Sequence, residues 1–324
     1  MDTETTLFLR ERLRELTRTA EARSDIGAAL EDLGWDDVVA EDPTEAAELL
    51  FDELGRARTG LEAVDDAVRR VLDLPATSKV IWPDAWSPSG DSFAASREGD
   101  VLTVAGVAFG TVGDHLLFLP ALFGCSSAGA LLPVESGRLD CRPRDAWSDE
   151  VGLTTVRGEL DAAGIAAAGP DGSRWVDALA YARTAVAQMM VGAAREMLDI
   201  AVQHVTTRHQ FGRAIGANQC VQHGLANAYV EIEGAAALTA TAWRTADLWS
   251  ADLAKLAAGR CAAEVTAACQ QVLGATGMTW EFPFHHFVRY TGTLDVVLGS
   301  HHQLQPQLGR LASSVPALPR VSSF

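Results

Sequence analysis

Apolar residues return along this chain in three successive rhythms. From Thr3 to Leu74 the spacing is helical: Leu7, Leu9, Leu13 and Leu16 recur among Arg and Glu. Asp42-Pro43-Thr44 then opens a second stretch, in which Ala46, Leu49, Leu50 and Leu54 share one face and Gly55 is placed to end the helix. Near Ala76 the rhythm shortens. Lys79-Val-Ile-Trp82, Val101-Leu-Thr-Val104, His115-Leu-Leu-Phe-Leu119 and Ala130-Leu-Leu-Pro-Val134 are brief apolar runs separated by Gly, Pro, Ser and Asp. This texture predicts an antiparallel sheet or small barrel. The segment from Gly152 to Gly158 adds one more strand, and Gly169-Pro-Asp-Gly172 punctuates the end of the region.

From Trp175 onward the period is helical again. Leu179, Ala182, Val186, Met190, Ala193, Met197 and Ile200 form one stripe, with Arg183, Arg195, Glu196 and Asp199 off it. Asn218 is placed to cap the next helix, whose stripe includes Val221, Leu225, Ala228 and Ile232. Ser250 is placed to cap a third helix that reaches Gly274. A fourth follows Ser300, and Pro306 should end or kink its first part. The expected architecture is α+β: an N-terminal helical domain over residues 1–75, a middle β-barrel-like domain over 76–172, and a C-terminal four-helix bundle over 173–324.

Composition narrows the functions. A chain of 324 residues suits two or three packed units. Its net charge of −17 would repel a phosphate backbone, so nucleic acid is not an expected partner. Five cysteines without CxxC spacing make neither a disulfide framework nor a zinc site, and Cys220, Cys261 and Cys269 read as small core residues. The His285-His286 and His301-His302 pairs lack a matching Cys or carboxylate cluster and read as surface or interface residues, so no metal is expected. No apolar run is long enough to span a bilayer and no signal segment opens the chain, which predicts a cytoplasmic protein without membrane insertion. Serine-hydrolase elbows, Walker loops and dinucleotide glycine fingerprints are absent from the sequence.

Two polar segments interrupt the helical half: Arg208-His-Gln-Phe-Gly212 followed by Gln219, and Gln271-Val-Leu-Gly-Ala-Thr-Gly277. An arginine with nearby backbone amides suits a pyrophosphate. A glycine permits close backbone approach, and a glutamine both donates and accepts. In this order the segments resemble the RxxFGxxLxxxQ and QxxGGxG stretches of acyl-CoA dehydrogenases, with Ile215 at the apolar position and Ala275 replacing one glycine. Glu281-Phe-Pro283 and Arg289 match the run that follows. The resemblance extends over almost the whole chain and implies FAD as cofactor. It assigns Arg208, Gln210, Phe211, Gly212, Gln219, Gln271, Gly274 and Ala275 to flavin contacts that reach across a subunit interface.

The same resemblance exposes what is missing. The family removes an α-proton with a carboxylate, most often in a Glu-Gly-Thr sequence; here that place reads Leu298-Gly299-Ser300. The alternative place, just before an arginine on the first long helix, is Ala182. No catalytic residue is therefore assigned. The loop that meets flavin and substrate has no counterpart between Lys79 and Gly99, and the Trp-Ile-Thr segment beside the flavin falls near Val107-Ala-Phe-Gly-Thr111. The resemblance thus implies a degenerate, base-lacking subunit of a heteromeric α2β2 acyl-CoA dehydrogenase, sharing FAD with a second acyl-CoA dehydrogenase-like subunit that supplies the catalytic Glu. Its substrate would be an acyl-CoA, with bulky steroid-side-chain esters as one class, and an electron-transfer flavoprotein is a further candidate partner. Two readings compete: a self-sufficient flavoenzyme with a displaced base such as Asp295, and a flavin-free scaffold of the same fold.

Overall fold

The computed structural model describes residues 2–18, 26–84, 94–122, 129–161 and 172–314. Among the described residues the first elements are α1 (Thr3–Arg18), α2 (Ile26–Asp32), α3 (Trp35–Glu41), α4 (Pro43–Ala57) and α5 (Glu62–Leu72). Asp42 caps α4 by accepting from the Glu45 amide at 3.0 Å, with Pro43 at the first helical position. Gly55 does not end this helix, which runs to Ala57 and stops at Arg58 in the left-handed region (φ 55). The glycine serves packing instead: a Cβ there would run into the Met189 carbonyl, and one at Gly192 into the Asp52 carbonyl. Two helices cross backbone to backbone at this point. A buried carboxylate locks the crossing, with Asp52 paired to Arg195, while the neighbouring Glu53 ties α4 to α1 through Arg14 at 2.8 Å.

Eight strands form the middle sheet: β1 (Ser78–Val80), β2 (Trp82–Pro83), β3 (Ala95–Glu98), β4 (Val101–Phe109), β5 (Leu116–Leu122), β6 (Gly129–Glu135), β7 (Asp140–Pro143) and β8 (Leu153–Asp161). Their order is β1-β5-β3-β4-β8-β7, with β2 also on β4 and β6 also on β5. The sheet is mixed rather than antiparallel, because β5 pairs in parallel with both β1 and β3. Strands β3 and β7 escape the apolar pattern, since Ala95-Ser-Arg-Glu98 and Asp140-Cys-Arg-Pro143 carry few residues with strand preference. Alternation divides the sheet's side chains. Ile81, Leu102, Val104, Ala108 and Val156 fill a core within the sheet, whereas Val80, Trp82, Val107, Phe109 and Leu153 join the core shared with the helices. Residues 85–93, inside the Lys79–Gly99 stretch, and most of the Gly169–Gly172 turn lie outside the described residues.

The last part comprises α6 (Gly172–Thr207), α7 (Gln219–Thr245), α8 (Leu248–Leu273), α9 (Phe284–Val296) and α10 (His301–Ser314). Ala182, Val186, Met190, Ala193 and Met197 on the α6 stripe are fully buried, with Leu179 and Ile200 at its margins. Among the described residues five helices stand where the pattern suggested four, because the short α9 precedes Ser300. The cap of α8 is Asp247, which accepts from the Ser250 amide at 2.9 Å; Ser250 lies inside the helix. Asn218 holds the N-cap position of α7 but gives no cap bond. Its side chain donates to the Ile215 carbonyl at 2.9 Å and accepts from Arg213 at 2.5 Å. Pro306 sits within α10 without ending it. His302, whose carbonyl the proline leaves unbonded, is exposed to water, which compensates the loss. Cys220 is exposed, not a core residue, while Cys261 and Cys269 are buried and their thiols are pushed up to about 12 by burial. Among the described residues no helix is long and apolar enough to cross a membrane.

Candidate functional site

The chain leaves α6 through a two-stranded hairpin, β9 (His209–Gln210) against β10 (Arg213–Ala214), whose loop is Phe211-Gly212. Both loop residues have positive φ, 54° and 79°, the pattern of a type I′ turn. Gly212 adopts it freely. A phenylalanine does so at a cost of about 1–2 kcal/mol, and its ring gains nothing from its own chain: Phe211 is 102% exposed. An aromatic held in a strained turn and projected wholly into solvent points to something that it touches elsewhere. Around it, the Ile215 amide donates to the Arg208 carbonyl at 2.9 Å, and Asn218 ties Arg213 to the turn before α7. Arg208 and Gln210 are exposed, as is Gln219 at the first position of α7. Arg208 has no ion-pair partner among the described residues.

The second segment lies at the same end. Arg183 on α6 bonds Asp252 on α8 at 2.5 Å, and Thr266 on α8 meets the Met197 sulfur at 3.8 Å; both pairs are 69 residues apart. The two helices therefore run parallel in register, which sets the Arg208–Gly212 turn level with the loop after Leu273. His204 and Phe282 meet edge to face at 6.2 Å and join the segments directly. Gln271 is exposed in the last turn of α8, and Gly274 follows at φ 58 with open space where a Cβ would stand. Ala275 is exposed as well. Sequence reading missed two neighbours, Met278 and Trp280, which are 67% and 71% exposed. Trp280 packs beside His285 at 5.1 Å and carries the Arg289 guanidinium over its ring at 6.0 Å. The signal was an apolar pair in a polar turn, Met278-Thr-Trp280, ahead of a proline. His285 itself is buried, contrary to a surface reading.

Both places for a base are apolar and buried: Ala182 is fully enclosed and Leu298 is 7% exposed. Leu298 too has a positive φ, 61°. Cations hold its loop by the backbone. Arg183 Nε donates to the Leu298 carbonyl at 2.9 Å, and Lys255 Nζ donates to the carbonyls of Asp295 at 2.8 Å and Gly299 at 3.1 Å. Lys255 is wholly buried, and burial pulls its pKa down to about 8 against the opposing pull of Asp295. Asp295, the alternative base, is spent on structure. It accepts from the His301 amide at 3.1 Å, capping α10, and pairs with the His301 ring at 2.8 Å and with Lys255 at 3.9 Å. Among the described residues no group of three or more His, Cys, Asp or Glu forms a metal cluster.

The two ends differ in how well their residues would fit an FAD. At the hairpin end the residues fit the group: an unpaired guanidinium, a projecting ring and two glycines, Gly212 and Gly274, with open space around them. At the sheet face they do not. Val107–Thr111 and the segment after Lys79, which the resemblance sets against a flavin, meet each other instead, with the Trp82 ring stacked on Phe109 at 5.5 Å.

Residues 172–309 match the family model described as acyl-CoA dehydrogenase, C-terminal domain. The helical bundle is thus similar to the acyl-CoA dehydrogenase C-terminal domain. Acyl-CoA dehydrogenase IpdE2 of Mycobacterium tuberculosis is 34% identical over 113 residues, 35% of this chain and 36% of that protein. The first curated relatives are matched over only 33% to 39% of their own length. Solved structures share the acyl-CoA dehydrogenase fold over nearly all of the chain. A glutaryl-CoA dehydrogenase from Mycobacterium smegmatis in complex with FADH2 superposes with a TM-score of 0.73 at 17% identity, covering 98% of this chain and 97% of that one. The Tcur3481–Tcur3483 steroid acyl-CoA dehydrogenase gives 0.71 at 21% identity over 96% and 98%. The ChsE4–ChsE5 complex from Mycobacterium tuberculosis gives 0.71 at 16% identity over 98% and 99%.

Proposed function

We propose that this chain is the base-lacking subunit of a heteromeric, FAD-dependent acyl-CoA dehydrogenase in the cytoplasm. In that assembly, an α2β2 tetramer, Arg208, Gln210, Phe211, Gly212, Gln219, Gln271, Gly274 and Ala275 reach the FAD of a second acyl-CoA dehydrogenase-like subunit, which supplies the catalytic Glu. The observation that carries this reading is Phe211, strained at φ 54 and wholly exposed beside an unpaired Arg208, while Leu298 and Ala182 are buried and apolar. When bound, the flavin accepts the hydride that leaves the acyl-CoA β-carbon. This chain's part is to hold it. The Arg208 guanidinium neutralises the pyrophosphate, Phe211 shields an apolar part of the cofactor from water, and Gly274 admits it close to the backbone. The likeness to a two-component steroid enzyme and to the ChsE4–ChsE5 complex supports an unlike partner and a bulky acyl-CoA with a steroid side chain. An electron-transfer flavoprotein would be the redox partner of the assembly. The self-sufficient alternative loses its base, because Asp295 caps α10 and pairs with His301.

The test is to purify the chain alone and with the acyl-CoA dehydrogenase-like product of an adjacent gene. Flavin absorbance and acyl-CoA-dependent dye reduction are measured in each. The reading requires both signals only in the pair, and Arg208→Ala in this chain should strip the pair of flavin and turnover. Stable flavin with turnover in the lone chain, or a pair indifferent to Arg208→Ala, would overturn it.

A further inference from the structure

The helix-facing side of the sheet is already covered from within the chain. Trp82 pairs with Val107 and Pro83 with Gly106, so Val80, Trp82, Val107 and Phe109 project together toward the helices. The Trp82 and Phe109 rings lie 5.5 Å apart and 16° from parallel, and Trp82 meets Trp175 of α6 at 5.1 Å. Trp82 and Phe109 are fully buried by this contact. Side chains of this size each bury about 150–250 Å², the apolar surface that a stacked flavin ring would need. The end of β4 is filled too. A Cβ at Gly110 would lie 2.6 Å from Glu62 Oε1 and one at Gly152 would lie 3.2 Å away, so the carboxylate occupies the crevice between the two turns.

We propose that the Trp82–Phe109–Trp175 stack, backed by Glu62, closes this chain's own flavin seat, so that a pair of unlike chains carries one flavin and not two. The inference rests on the half-site reading for the identity of the pair but stands on a different part of the molecule. The stack has one polar atom without a partner, the buried Trp82 Nε1. If that group served a flavin, the seat would fill and the count would double.

The test is flavin stoichiometry in the co-purified pair, from flavin released on denaturation against the amount of each chain. One flavin per pair, lost on Arg208→Ala in this chain, is the expected result: it places the cofactor in the partner's seat. Two flavins per pair would overturn the closed seat, and if Arg208→Ala then removed only one of them the half-site reading would survive. One flavin that persists in Arg208→Ala would sit in this chain's own seat and also overturn the proposal. A flavin-free pair would defeat the half-site reading and leave the closed seat standing. Circular dichroism of Arg208→Ala guards against misfolding, and Arg208→Lys should keep part of the occupancy.

Discussion

At the scale of single residues, the Leu298 loop sets a buried apolar side chain on a backbone held by cations. Leu298 stands in a left-handed conformation while Arg183 and Lys255 grip three carbonyls around it. Lys255 carries a measurable consequence. Its pKa in the fold is about 8 against an ordinary 10.5, so between those values the unfolded chain binds a proton that the native chain does not. Stability contributed by this site therefore rises as pH climbs through the window. The wild type should gain on Lys255→Met by at most about 3 kcal/mol from pH 8 to 10.5, measured as the difference in urea-unfolding free energies. A difference that stays flat would show that the lysine keeps its charge throughout.

At the scale of elements, the long-period signals were legible and the exceptions had local causes. The α6 stripe and the Asp42 cap of α4 followed from spacing and capping chemistry alone. Gly55 was misread because a terminating glycine and a crossing glycine look alike until the partner helix is in place. The polar strands β3 and β7 are held by pairing across the sheet, to β4 and β8, which no local window contains. Five of the motif positions, from Arg208 to Gln219, were legible because a hairpin and a helix start keep them contiguous; that Met278 and Trp280 join them depends on α6 and α8 running in register. The α4–α6 crossing makes a sharp prediction. Gly192→Ala pushes a methyl into the Asp52 carbonyl and should cost about 1–3 kcal/mol. Gly224 and Gly234 on α7 have nothing within reach of a Cβ, so alanine there should stabilise the isolated chain by up to about 1 kcal/mol. Thermal unfolding of the three variants decides it: equal shifts at all three positions would mean that the helices do not cross this closely.

At the scale of the whole molecule, the hairpin end and the sheet face have opposite characters. The hairpin end offers open glycines, an exposed arginine and a projecting phenylalanine, all suited to another chain's cofactor. The sheet face has filled with its own aromatic rings. The sequence pointed to the first as a candidate, because motif residues lie close together in the chain, but it did not reveal the second, because Trp82, Phe109 and Trp175 come from β2, β4 and α6. If a missing carboxylate were all that this chain had lost, Leu298→Glu would restore it: the position is backed by Arg183 and Lys255, two cations able to keep a buried carboxylate ionised. With the seat closed, a base at this position has no flavin opposite it. Leu298→Glu in the purified pair should therefore leave acyl-CoA-dependent dye reduction per flavin unchanged, with the flavin content still at its wild-type value. A second increment of turnover, accompanied by a second flavin, would mean that the site had kept its cofactor seat and lost only its base.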